Sequence, residues 1–285
     1  MSCQRLVESG MIGGTLRPEL ARRFGLRAHL PVAGGAGDNM AGAIGAGVVR
    51  AGDAFISLGT SGVYFVANDR FVPAHGQGMH THRHAVPDLF GQHGCVLSAA
   101  SALTWIAGIL GIASIERFLA EVEAADLSPA EIPVFSPYFG GERTPHDDAL
   151  ATATLSNLRA AAGPLHIGRA VLEGVAFAMA DCHDALTEAG ASIETIALTG
   201  GGARSRFWGR LIATVIDRPL LLPPLAPLGP ALGAARLARQ VSGGTLIGES
   251  DRRDMTMLEP DAASHGGLQE RRAIYRRHYA KMLSS

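Results

Sequence analysis

The chain has 285 residues, enough for one large domain or one and a fraction. With 47% hydrophobic and 18% charged residues it can bury a sizeable core, and a formal net charge of -1 gives no electrostatic case for nucleic acid or an acidic membrane. Lys281 is the only lysine, which argues against a catalytic lysine and against a Walker A loop ending in Gly-Lys-Ser/Thr.

From the N-terminus, residues 1–30 read as mixed and loop-like, with a short helix opened by Arg17-Pro18-Glu19-Leu20 and ended near Gly25. Residues 34–49 read as a Gly/Ala-rich loop and helix. Ala54–Leu58 and Val63–Val66 are two apolar runs around the polar turn Gly59-Thr60-Ser61-Gly62, the pattern of a hairpin. Residues 70–96 suggest further short strands, and helices are expected over Ser98–Leu110 and Ile115–Ala124. Prolines at 129, 133, 137, 145 and 164 make 126–164 loop-rich, and such a long irregular stretch is usually functional or mobile. Ile167, Val171, Val175, Ala178, Cys182 and Leu186 then mark one buried helix face, closed by Gly190. Thr195–Thr199 reads as a short buried strand, 205–216 as a helix and Leu220–Leu222 as a strand. Pro230 opens a helix through Arg239, and Leu268–Leu283 is an arginine-rich amphipathic helix. The alternation predicts an α/β domain with a mixed sheet. Cys3, Cys95 and Cys182 are odd in number and far apart, so no disulfide framework is expected and a reducing, cytoplasmic setting is the simplest reading. The opening residues carry no apolar signal core, and no run is long enough to span a bilayer.

Three segments carry chemistry. Asp38 is the only charged side chain between Arg27 and Arg50 and sits in the glycine-rich run 33–47. Glycine lets a backbone approach a ligand closely, and a lone carboxylate there is placed to take a proton from a substrate hydroxyl. On position alone, helix capping is the better reading, since Asp is a favoured N-cap residue. Gly59-Thr60-Ser61-Gly62 offers backbone N–H groups and two hydroxyls to a phosphate, although taken alone it is an ordinary hairpin turn. Leu198-Thr199-Gly200-Gly201-Gly202-Ala203-Arg204-Ser205 is stronger: a buried strand runs through three glycines into a helix, where N–H groups and the helix dipole favour phosphate. It does not match Gly-x-Gly-x-x-Gly, so a dinucleotide fold is not supported. The loop 136–148 reads as a solvated surface loop with a Glu142–Arg143 or Arg143–Asp147 contact. The histidines 75, 80, 82, 84 and 93 invite a zinc reading, but they lack a cysteine ligand and an i, i+4 pair, so a polar strand face is favoured and no metal site is assigned.

Taken together, Gly34–Ala43, Ile56–Gly62, Leu97–Leu103, Gly141–His146, Thr199–Ser205 and Gly229–Arg236 resemble, in family order, the FGGY family of carbohydrate kinases, most closely the xylulokinases. The resemblance implies an actin-like, ribonuclease-H-like α/β fold with a mixed sheet and flanking helices, and ATP with Mg²⁺ as the cofactors. It implies that Asp38 is the catalytic base and, with Asn39, touches the sugar. Gly59, Thr60 and Ser61 would hold the β- and γ-phosphates. Gly200, Gly201, Gly202 and Ala203 would lie against the α-phosphate and adenosine, with Arg204 and Ser205 beside them. It implies that residues 1–50 are the end of the first, sugar-binding FGGY domain and 51–285 the second, ATP-binding one. The family's first-domain Asp-x-Gly-Thr/Ser phosphate hairpin has no counterpart here. The chain is therefore expected to be a fragment, half of a split enzyme, or a reading frame opened at an internal methionine. Its expected partners are a sugar, ATP and a separate first-domain polypeptide, with neither nucleic acid nor membrane. A non-catalytic nucleotide-binding module, or a kinase for ribulose, gluconate or glycerol, is the alternative reading.

Overall fold

The computed structural model describes residues 6–73, 76–248 and 254–282. The N-terminal stretch is not all loop: β1 (Ile12–Thr15) pairs antiparallel with β2 (Pro31–Ala33) around α1 (Pro18–Phe24). The sequence Ile-Gly-Gly-Thr has no apolar alternation and every residue of β1 is exposed, so only its non-local partner makes it a strand. As expected, Pro18 lies in the first turn of α1, and Gly25 closes it with φ of 64°. Several large apolar side chains here stand exposed, among them Leu6, Met11, Ile12, Phe24, Leu26 and Val32.

The body is a mixed seven-stranded sheet. Helix α2 (Asp38–Ala46) leads to β3 (Asp53–Leu58) and β4 (Gly62–Asn68), the expected hairpin. Strands β5 (His80–Arg83) and β6 (Phe90–Val96) extend it antiparallel. Helices α3 (Ala100–Ile109) and α4 (Ile115–Ala124) follow. Within the proline-rich stretch a small hairpin forms, β7 (Val134–Ser136) against β8 (Thr154–Ser156), which the proline count concealed. Helix α5 (Pro164–Glu188) is long and buried, and β9 (Thr195–Thr199) returns parallel to β3. A 3-10 turn over Gly201–Arg204 leads into α6 (Arg206–Ile216). Strand β10 (Leu220–Leu222), helix α7 (Gly229–Val241), strand β11 (Thr256–Leu258) and helix α8 (Ala262–Met282) complete the order. The sheet order is β11-β10-β9-β3-β4-β6-β5.

One face of the sheet carries the larger core, with Ile56, Tyr64 and Leu198 packed with Leu172, Val175 and Trp208. Two ion-paired clusters fasten α8 to α5 there. Arg271 donates to Glu173 at 2.6 Å, and Arg272 to Asp181 at 2.7 Å, all four side chains buried. The other face carries α2 and α7 over Phe55, Phe65 and Ala197. These helices meet at glycine: a Cβ on Gly233 would stand 1.8 Å from the Ala41 carbonyl oxygen, and one on Gly45 2.1 Å from that of Gly229. Arg236 then reaches across and donates to the Ile44 and Gly45 carbonyls at 2.8 and 2.9 Å, satisfying acceptors at the end of α2. The helix that begins at Asp38 is thereby fixed along its length. Among the described residues no helix is long and apolar enough to cross a membrane.

Candidate active site

Two turns meet at the ends of β3 and β9. These strands are parallel, with Ser57 beside Thr199, so the turn 59–62 and the run 200–202 leave the sheet at the same edge, where open α/β sheets place their ligands. Gly200 has φ of 86°, and a Cβ there would come within 2.7 Å of the Leu58 carbonyl oxygen, so only glycine lets the two turns lie this close. The turn's carbonyls face inward. Thr60 O accepts from Ala99 N at 2.9 Å and from Ser101 Oγ at 2.7 Å, and Gly59 O accepts from Ala100 N at 2.9 Å. In a trans peptide the N–H of the next residue points the opposite way. The amides of Thr60 and Ser61 are therefore directed outward, adjacent to one another, with both side chains exposed. Successive amides aimed this way make an anion-binding nest.

A cavity of about 590 Å³ opens beside them, between α3 and α4 on one side and the 3-10 turn with the start of α6 on the other. Leu103 and Leu119 make one side apolar, and Gly201, Gly202, Arg204, Ser205 and the apolar Phe207 line the other. It shares Ala100 and Thr104 with a second hollow of about 510 Å³ that contains Thr60 and Ser101. Of the predicted nucleotide residues, Gly59, Ser61, Gly200 and Ala203 line neither: Gly59 and Ser61 flank Thr60 in the turn, Gly200 spaces the turns, and Ala203 is buried and opens on a smaller hollow near Pro223. Nor does the α-helix start directly after the glycines. Ser205 caps it, its Oγ accepting from Trp208 N at 3.2 Å, with the 3-10 turn in between.

Asp38 is not the N-cap of α2. Gly37 holds that position, and Asp38 is the first helical residue, exposed, with Oδ1 accepting from Asn39 N at 2.8 Å. Its charge acts on His93 and Cys95 of β6. Cys95 lies opposite Val63, and Val96 opposite Gly62, so the stretch of β6 that feels this carboxylate runs toward the root of the phosphate turn. Asn39 Nδ2 faces His93 Nε2 at 3.5 Å. His80, His82 and His93 form a ring cluster with centroids 5.3 to 6.0 Å apart, and Arg143 donates to His80 Nε2 at 3.2 Å. The polar strand face lies on β5, where His80 is half-buried and His82 exposed. His84 and His93 are buried against Phe65, and burial pushes both imidazoles down to about 4, so both are neutral near pH 7. His75 lies outside the described residues. Among the described residues no group of three or more His, Cys, Asp or Glu side chains is placed to hold a metal ion.

Residues 54–239 match the family model for the C-terminal domain of the FGGY family of carbohydrate kinases. The chain belongs to the FGGY family of carbohydrate kinases. It is 39% identical over 282 residues to a xylulose kinase of Escherichia coli (strain K12), covering 98% of this chain and 58% of that protein. A xylulose kinase of Klebsiella pneumoniae is 41% identical over 233 residues, 82% of this chain and 48% of the relative. A xyloylose kinase from Brucella ovis superposes with a TM-score of 0.88 at 39% identity, over 98% of this chain and 57% of that one. The chain therefore spans about half the length of these relatives, and within the family it is most like the xylulose kinases. The α/β architecture is the actin-like fold that the resemblance implied.

One FGGY segment differs from its sequence reading. Glu142 does not lie on a solvated loop: it is 2% exposed, and Arg143 alone of the expected pair faces outward. Thr144 N donates to Cys95 O, and Thr144 Oγ1 accepts from Cys95 N, each at 3.0 Å, so one backbone and one side-chain bond pin the loop to β6. Sequence reasoning also missed the apolar lining from Leu103, Leu119 and Phe207. Their helical spacing marks them as core, and only the gap between α3 and α6 turns them toward a ligand.

Proposed function

We propose that this chain is the nucleotide-binding and base-bearing part of an ATP-dependent sugar kinase that moves the γ-phosphoryl group of MgATP to the C5 hydroxyl of D-xylulose. The observation that carries it is the pair of outward amides at Thr60 and Ser61, near a partly apolar cavity of about 590 Å³, a volume that suits an adenosine. The base and ribose occupy that cavity against Gly201, Gly202, Arg204 and Ser205, with the phosphates running past Ala100 and Thr104 to the turn. Asp38 takes the proton as the sugar oxygen attacks the γ-phosphorus. The bond to the β-phosphate oxygen breaks, and ADP leaves. Such transfer rests on positioning and charge rather than on covalent help from the protein, which suits a site built of turns. Asn39, oriented beside His93, contributes to holding the sugar. No Mg²⁺-holding residue is assigned in this chain, and no step here runs through the ion, which enters as part of the MgATP substrate.

Residues 1–50 are read as the end of the first FGGY domain and 51–285 as the second. The other wall of the cleft belongs to a first FGGY domain on the same or a separate polypeptide, and the apolar side chains exposed between Leu6 and Val32 suit contact with it. The test is ADP release with D-xylulose, using the chain alone and then mixed with a first FGGY domain. Little sugar-dependent release is expected alone and clear release on mixing. ATP binding with no sugar- or polyol-dependent ADP release in either arm supports the alternative, a nucleotide-binding module without transfer, which the exposed Asp38 argues against.

A further inference from the structure

We propose that Glu142 is a positioning residue for the nucleotide phosphates, holding the segment 97–100 that in turn sets the backbone of the Thr60–Ser61 turn. The inference rests on the phosphate role of that turn. Leu97 lies one residue beyond the last ladder pair of β6, Val96 with Gly62, so its N–H has left the sheet. Glu142 Oε1 accepts it at 3.0 Å and also accepts Arg143 N at 2.7 Å. Two residues on, Ala99 N and Ala100 N donate to the carbonyls of Thr60 and Gly59. These are the bonds that turn the Thr60 and Ser61 amides outward. One carboxylate oxygen is thus linked to the phosphate nest through a single short segment, and the two Thr144 bonds to Cys95 fix the loop that carries it.

The second oxygen, Oε2, is buried and has no partner. A bare buried carboxylate oxygen is costly, and a neutral side chain could accept the same two N–H groups, so the charge itself is the part that plain scaffolding leaves unexplained. Burial pushes the carboxyl up to about 7 against the pull of the two N–H groups and Arg143. The groups that share its surroundings are Arg143 on its own loop, Cys95 on β6, Asp181 and Cys182 on α5, Tyr138 before the loop and Tyr275 on α8. Asp181 adds to the rise. Ionised Glu142 grips both amides more strongly than the acid does, so the preference of the chain for phosphate-bearing nucleotide increases as pH rises through that value.

The experiment is calorimetric titration of the full chain with MgATP and with adenosine, at about pH 6 and about pH 8. Wild type is expected to prefer ATP, and more so at the higher pH. Glu142→Ala should lower the ATP-over-adenosine preference about tenfold while adenosine affinity stays put. Glu142→Gln keeps an acceptor oxygen, so it should retain the preference within about twofold and lose its excess pH dependence. Equal weakening toward both ligands in Glu142→Ala, or a wild-type pH response in Glu142→Gln, overturns the assignment. A wild-type chain that does not distinguish ATP from adenosine overturns the phosphate role of the turn and Glu142 with it. A wild-type preference untouched by Glu142→Ala overturns Glu142 alone.

Discussion

Asp38 occupies the first position of α2, where a negative charge faces the unpaired N–H groups of the helix start. Replacing it by Asn keeps the shape and removes that charge. The expected loss of stability is about 0.3–1 kcal/mol, the usual size of such an interaction at an exposed helix end. ATP affinity should stay within about twofold, because the nucleotide cavity is built from α3, α4 and the start of α6, and calorimetry on Asp38→Asn reads this directly. Asp38 was legible from sequence as an isolated carboxylate among glycines, although its role as a cap was not borne out. Glu142 was not legible. Its neighbours Gly141, Arg143 and Pro145 are turn and surface residues, and its burial comes from contact with the end of β6, some 45 positions away.

The crossing of α2 and α7 fixes the direction in which Asp38 points. Gly233→Ala would place a methyl group 1.8 Å from the Ala41 carbonyl oxygen, which no rotamer relieves because the clash is with backbone. The helices must separate, at a cost of about 1–3 kcal/mol. A fall of several degrees in melting temperature together with reduced sugar phosphorylation in the completed enzyme is the expected result. A fully stable Gly233→Ala protein would show that the crossing is looser than described. Long periodic elements such as α5 and the paired runs of β3 and β4 could be read from the sequence, since their burial pattern repeats many times. Strands β1, β7, β8 and β11 could not. Each has three or four residues, too few for a period, and each is a strand only because a distant segment lies beside it.

At the scale of the whole molecule, buried titratable groups tie stability to pH. His84 and His93 are held at about 4 against an ordinary 6.5, so the stability they contribute is present above that ordinary value and lost as pH falls through about 4. Glu142 is held at about 7 against 4.5, so its contribution is present below 4.5 and lost as pH rises through about 7. Between about pH 6.5 and 4.5 the unfolded chain binds two histidine protons that the folded chain excludes, while the folded chain binds one at Glu142. The net of one proton lowers stability by about 1.4 kcal/mol for each unit of acidification. His80, His146 and His183, lowered mainly by burial, act in the same direction. Melting curves across that interval should therefore shift downward with acid, and a flat or rising series would contradict the buried, neutral histidines. The central claim is that Asp38 serves as the base for transfer from an ATP held at the Thr60–Ser61 turn. Its most direct test is phosphoryl transfer from labelled ATP to D-xylulose by this chain joined to a first FGGY domain, wild type beside Asp38→Asn. The account predicts labelled sugar phosphate from wild type and a loss of at least about a hundredfold in the variant, with ATP still bound. Transfer at the wild-type rate by Asp38→Asn would contradict it.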